Sequence, residues 1–158
     1  MISHPFPPFF DSDSRALILG SFPSVKSREQ MFFYGHQQNR FWRVISAVFG
    51  ESTPLTIDEK RELLSRNKIA LWDVIASCDI VGSADSSIKN VIPNDLSKIL
   101  DNSAIKRIFV NGKTAQKYYD KYIKSKIGIE AICLPSTSPA NAMYSLDMLI
   151  EEWKTIKK

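Results

Sequence analysis

The stretch Tyr34-Gly35-His36-Gln37-Gln38-Asn39-Arg40-Phe41-Trp42 gathers amides, an imidazole and aromatic rings in one short polar segment directly before an amphipathic run. Amides read the donors and acceptors on the edge of a flat heterocycle, and aromatic rings stack on its face. The segment therefore has the composition of a loop that holds a polar ring. Asn39, immediately ahead of Arg40-Phe41-Trp42, also stands where an Asn commonly caps a helix. Upstream, Leu17-Ile18-Leu19-Gly20-Ser21-Phe22-Pro23-Ser24 is an apolar run that ends in a Gly/Ser/Pro turn, the usual place for a ligand in an open α/β sheet.

Several chemistries are excluded by what these turns lack. Gly20 to Ser24 has neither the lysine and hydroxyl of G-x-x-x-x-G-K-[ST] nor the pattern G-x-G-x-x-G. Acyl transfer would need a base beside a serine, yet only His4 and His36 are available and no G-x-S-x-G elbow is present. Asp73, Asp79 and Asp85 cluster near strand ends without partnering histidines, and Cys78 and Cys133 form no C-x-x-C pair. No metal and no cofactor is expected. What remains is a site of neutral polar groups, aromatic rings and backbone dipoles, which suits a nucleobase.

Four short apolar runs, Ala16 to Leu19, Ile69 to Ile75, Ile108 to Val110 and Ile129 to Leu134, read as buried strands. Segments of helical period lie between and after them: 40–49, 58–67, 94–100, 114–123 and 145–156. The alternation predicts an α/β fold, a three-layer αβα sandwich with a central, mostly parallel four-stranded sheet, and one domain spanning residues 1–158. Its functional edge is expected at the carboxyl ends of the strands, where the turns 20–24, 73–87, 111–113 and 135–139 are rich in Gly, Pro, Ser, Asn and Asp. Pro5 to Pro8 is expected to form an extended arm. Phe41 and Trp42, in helical register with Ile45 and Phe49, belong to the core. The N-terminus has no leader-like pattern and no run approaches ~18 apolar residues, so a soluble, cytoplasmic protein is expected. The net charge is +4, but residues 106–126 carry seven basic residues against one acid, Asp120, leaving the remainder slightly acidic. Lys113, Lys117, Lys121 and Lys124 recur at helical spacing, as an ordinary solvated face does and as a stripe along a phosphate backbone would.

On these residues the chain resembles the uracil-DNA glycosylase superfamily over most of its length, and within it the hypoxanthine (deoxyinosine) DNA glycosylase branch. Gly20-Ser21-Phe22-Pro23-Ser24 is similar to the G-x-[DN]-P-[GY] loop after the first strand. Phe22 stands where other branches place the water-activating Asp or Asn. His36-Gln37-Gln38-Asn39-Arg40-Phe41-Trp42 resembles the H-P-x-N-R-F-W segment of mismatch-specific uracil glycosylases. Leu134-Pro135-Ser136-Thr137-Ser138-Pro139-Ala140-Asn141-Ala142 sits where the superfamily has its H-P-S or N-P-S loop, with Leu134 replacing the histidine. Trp72 to Cys78 and Gly82 to Ile88 are also similar to the hypoxanthine branch.

The resemblance implies a monofunctional DNA glycosylase. It would flip out hypoxanthine, with uracil or xanthine as further substrates, and hydrolyse the N-glycosidic bond to leave an abasic site. Asn39 is implied as the catalytic amide, either donating to the departing base or holding water through its oxygen. Tyr34 is implied as the ring on which the base stacks, with Phe33 as fallback, and His36 as a supporting hydrogen-bonding group. Gly20, Ser21, Phe22, Pro23 and Asp73 complete the expected base pocket. Ser136, Thr137, Ser138 and Asn141 are expected to grip DNA, aided by Lys113 and Lys117. Ala140 occupies the wedge position, Met143 and Tyr144 being the larger alternatives. The expected partner is DNA with a deaminated base, the chain working as a monomer without a membrane. A mismatch-specific (G:U/G:T) uracil glycosylase and a non-catalytic nucleic-acid-binding module of the same fold are the alternatives.

Overall fold

A computed structural model describes residues 1–157. In chain order the elements are β1 (Ile2–Ser3), β2 (Ala16–Gly20), α1 (Val25–Gln30), α2 (Phe41–Val48), α3 (Ile57–Arg66), β3 (Ile69–Asp73), β4 (Ile75–Asp79) and β5 (Lys89–Pro93). There follow α4 (Ser97–Asp101), β6 (Arg107–Asn111), α5 (Lys113–Tyr122), α6 (Lys124–Ile127), β7 (Ala131–Leu134) and α7 (Leu146–Trp153), with short 3-10 turns at Asp85–Ser87 and Lys154–Lys157.

The central sheet has four parallel strands in the order β3-β2-β6-β7. Every residue of β2 and β3 is buried, as continuous apolar runs in a parallel sheet covered on both faces must be. The chain steps from β2 to β3 in one direction and from β6 to β7 in the other, so right-handed crossovers place α1–α3 and α5–α6 on opposite faces. α7 packs against α2 and completes that layer. The expected αβα sandwich is therefore the observed one. β2 lies between strands reached by opposite crossovers, and the crevice at its carboxyl end is where such sheets bind ligands.

Local sequence explains the helices that frame this edge. α3 begins with a capping box: the Thr56 hydroxyl accepts from the Glu59 N–H, and the Glu59 carboxylate accepts from the Thr56 N–H at 3.1 Å. α2 buries Phe41, Trp42, Val44, Ile45 and Val48, an apolar stripe at helical spacing. Trp153 at the end of α7 is fully buried, its indole N–H donating to the Pro135 carbonyl at 2.9 Å, which ties the loop after β7 to the core.

Around the central sheet the structure departs from the sequence expectations in some elements and adds detail to others. The run from Ile69 to Ile75 does not continue as one strand. It turns at Val74, and Ile75–Asp79 joins a separate antiparallel sheet of order β1-β4-β5. The expected loop 73–87 thus contains the strand Ile75–Asp79. The arm at Pro5–Pro8 carries Phe9 into an antiparallel bridge with Leu71, whose two backbone bonds of 3.0 and 2.9 Å close the outer edge of β3. α1, α6 and the second sheet were not expected. The helix expected over 94–100 spans Ser97–Asp101 instead, and Asn94 is tied to the end of β3, its side-chain amide donating to the Asp73 carbonyl at 2.8 Å.

Candidate active site

A pocket of about 510 Å³ opens at the carboxyl ends of the central strands. Its walls are the turn Gly20–Ser24 after β2, Asp73 at the end of β3, Asn111 at the end of β6 and Ser136–Ala140 after β7. Tyr34, His36 and Asn39 close one side, and the loop Ser83–Ser86 the other. The size falls within the range of small-molecule sites.

Asn39 is held by its oxygen. Its Oδ1 accepts from the Phe41 backbone N–H at 2.9 Å, capping α2, and from the Thr137 hydroxyl at 2.8 Å. The Phe41 N–H can only donate, so the oxygen must face it. Both lone pairs are then occupied, and the Nδ2 group makes no hydrogen bond among the described residues. A donor, not an acceptor, is what Asn39 has to offer the pocket it lines. Thr137 is fixed in turn by Asn111: the Asn111 amide donates to its hydroxyl at 3.0 Å and accepts from its backbone N–H at 3.1 Å.

Arg40 secures the other side of this junction. Its guanidinium donates to the carbonyls of Ser138 at 2.9 Å, Asn141 at 3.0 Å and Tyr144, and its backbone N–H donates to the Thr137 carbonyl at 3.0 Å. One side chain from the start of α2 thereby gathers the loop after β7. Within that loop the Ser136 hydroxyl accepts from the Ser138 N–H at 3.1 Å, and the Ser138 hydroxyl from the Ala140 N–H at 3.2 Å. Both hydroxyl protons remain to be donated. Gly112 has a φ of +95°, and a Cβ there would lie 3.0 Å from Ser136 Cβ, so only glycine lets the loop sit this close to β6.

Tyr34 adopts a left-handed backbone (φ 53°) and stacks on Phe41 with centroids 4.0 Å apart. One ring face is thereby covered. Its hydroxyl is buried without a hydrogen-bond partner, and burial, reinforced by the charge of Asp73, pushes the phenol far above its ordinary range. Phe22 is 8% exposed and belongs to both pocket and core. The Ser21 hydroxyl donates to Asp85 at 3.0 Å. Asp73 is buried and paired with His4 at 2.7 Å.

All seven residues expected to bind the base line the pocket with Asn39, and so do Ser136, Thr137, Ser138 and Ala140. His36 is exposed, its Nδ1 accepting from the Gln38 N–H at 3.1 Å. Thr137 corrects the expectation that it grips DNA: it is fully buried, and its hydroxyl, N–H and carbonyl are all bound internally. The Asn141 amide is likewise turned inward, to the Ser136 carbonyl at 3.0 Å. Lys113 and Lys117 are exposed on α5, outside the pocket lining. Cys78 is buried in the core and Cys133 is half-buried, and both are free thiols. Arg40, Asn111, His4 and Asp85 were not singled out as site residues. A signal for Arg40 existed, since no acid from Gln30 to Gly50 could pair with it. Asn111, like Asp73, is the polar last residue of an apolar strand.

The chain matches the model of the uracil DNA glycosylase superfamily over residues 7–157. It is 34% identical over 158 residues to a hypoxanthine DNA glycosylase of Methanosarcina acetivorans, with 99% of this chain and 98% of that protein covered. It is 36% identical over 138 residues to a hypoxanthine DNA glycosylase of Methanosarcina barkeri, with 86% of each covered. A solution NMR structure of a protein provisionally assigned as a uracil DNA glycosylase, from Methanosarcina acetivorans, superposes with a TM-score of 0.81 at 31% identity over the full length of both chains. With its sheet order, its strand-end pocket and these matches, the chain belongs to the uracil DNA glycosylase superfamily.

Proposed function

We propose that the protein is a DNA glycosylase that flips a deaminated base, foremost hypoxanthine, out of DNA and hydrolyses its N-glycosidic bond. The observation that carries this reading is the Asn39 amide, whose oxygen is pinned by two donors and whose NH2 is left for the pocket. As the C1′–N bond breaks, its electron pair moves onto the base and positive character develops on the sugar. A fixed donor beside the base stabilises that charge without reorganising. Water then adds to C1′, the base leaves carrying a proton, and water is the sole co-reactant. The oxygen of Asn39 is not free to orient that water.

Tyr34 supplies the stacking face, at ~1–3 kcal/mol per stacked base. The N–H groups of Ser21 and Phe22, which donate to nothing among the described residues, suit a base carbonyl. Ser136 and Ser138 offer hydroxyl protons to flanking phosphates. Among the wedge candidates, Met143 is 88% exposed on the loop after β7, whereas Tyr144 is partly buried and packed against the core, so Met143 is the side chain free to enter the base stack. The protein acts as a monomer on DNA inside the cell.

Oligonucleotides carrying one deoxyinosine or one deoxyuridine, single-stranded or paired with each base, become alkali-labile at that site after incubation. Lability confined to G:U and G:T pairs would favour a mismatch-specific uracil glycosylase. Binding without lability on any strand would leave only a nucleic-acid-binding module.

A further inference from the structure

Asp73 ends β3 directly opposite Gly20, its partner in the β2–β3 register. Its Oδ2 accepts from His4 Nε2 at 2.7 Å, and the two side chains are 6% and 3% exposed. The His4 ring sits in an aromatic box, with centroids 4.3 Å from Trp72, 4.5 Å from Phe6, 6.0 Å from Phe22 and 6.4 Å from Phe33. These walls fix the ring plane and hence the direction of the Nε2–H. The second carboxylate oxygen lies over the bare backbone of Gly20, where a Cβ would be 2.5 Å from Oδ1 and 3.2 Å from the Tyr34 hydroxyl. Asp73 and Tyr34 thus converge on one point of the pocket floor. His4 Nδ1 is buried without a partner. A purely apolar ring would fill the box without orphaning a polar atom, so what the imidazole adds at this place is the Nε2 contact to Asp73.

We propose that His4, carried by the N-terminal arm, is a positioning residue for base recognition: it turns the Asp73 carboxylate so that Oδ1 accepts the lactam N–H of a deaminated base. The proposal rests on the glycosylase reading. Deamination of adenine converts N1 from an acceptor into the N1–H donor of hypoxanthine, and deamination of cytosine does the same at N3 of uracil. A carboxylate only accepts. It therefore attracts the deaminated edge and repels the lone pair of the parent base. The contact separates hypoxanthine from adenine and uracil from cytosine, and it does not separate guanine, which keeps its N1–H.

A double-mutant cycle read by single-turnover base release tests this, using strands with one deoxyinosine and matched strands with deoxyadenosine at the same position. His4→Phe fills the box and removes the donor, and it lowers the single-turnover rate on deoxyinosine about tenfold, the scale of one hydrogen bond to a charged group. His4→Gln, whose amide can still donate, restores most of that loss. In an Asp73→Ala background His4→Phe has almost no further effect, because its partner is gone. Asp73→Asn, which can turn a donor toward the base, narrows the preference for deoxyinosine over deoxyadenosine. Equal losses from His4→Phe in both backgrounds, or a His4→Phe protein as active as His4→Gln, overturn the proposal and leave the glycosylase reading standing. A wild-type protein that releases no base overturns both.

Discussion

In the proposed reaction Asn39 uses the two ends of one amide for two tasks, since the oxygen binds the first N–H of α2 and that bond leaves the nitrogen as the end available to the pocket. Helix capping and catalysis are therefore not competing explanations of this residue. The arrangement depends on Thr137, whose hydroxyl completes the hold on Oδ1 at 2.8 Å. Thr137→Val keeps the shape, removes that donor and leaves the Asn111 amide without its acceptor. Urea unfolding is expected to show a loss of ~1–3 kcal/mol. Base release from deoxyinosine strands should fall about tenfold as Asn39 gains freedom to turn, on the same one-bond scale, and an unchanged rate would mean that Asn39 needs no such support. The position of Asn39 was legible because capping and amide chemistry are both local properties of a residue before a helix. Its donor-only state was not, because the deciding contact comes from 98 positions away.

The loop after β7 is shaped by its neighbours more than by its own residues. Arg40 collects its carbonyls, and Gly112 allows Ser136 to approach β6. Gly112→Ala combines a left-handed backbone (φ +95°) with a Cβ 3.0 Å from Ser136. Denaturant unfolding should show destabilisation of more than ~1 kcal/mol, and hydrogen exchange should quicken over residues 135–144. A loop with unchanged protection would show that the close approach is dispensable. The four central strands were readable because parallel strands buried on both faces leave unbroken apolar runs, as in Ala-Leu-Ile-Leu-Gly of β2. The second sheet was not. Lys89–Pro93 of β5 is largely exposed, and Ile75–Asp79 of β4 follows β3 after a single residue, so no periodicity marks either as a separate strand. The strand-end location of the site was legible, whereas the return of the arm to place His4 beneath Asp73, 69 positions away, was not.

Across the whole molecule, charge and burial give two further tests. Lys113 and Lys117 are exposed at the start of α5, while Lys124 is tied to Glu130 at 2.8 Å. Replacing Lys113 and Lys117 by Gln should weaken binding to damaged and undamaged strands alike and reduce the slope of log K against log salt by about two. A loss confined to deoxyinosine strands would place them in base recognition instead. Tyr34 is held far above the ordinary tyrosine value of 10.0 by burial and Asp73, and Tyr119 is pushed up to about 12 by burial, then by Asp120 and Glu130. Raised values favour the protonated phenols in the folded state, so their stabilising effect is complete below about pH 10 and is lost as pH rises past the folded values. The unfolding free energy should therefore decline above pH 10, and Tyr34→Phe should make that decline shallower. Parallel declines would show that Tyr34 ionises freely in the folded protein. Whether this fold brings the Asn39 donor to a flipped base is read from base release and DNA affinity measured together for the wild-type and Asn39→Ala proteins. Release from a deoxyinosine strand should fall by about 10²–10³, the cost of losing one preorganised donor, while the dissociation constant changes little. An Asn39→Ala protein that still turns over at the wild-type rate would show that the Asn39 amide is not the group that stabilises the departing base.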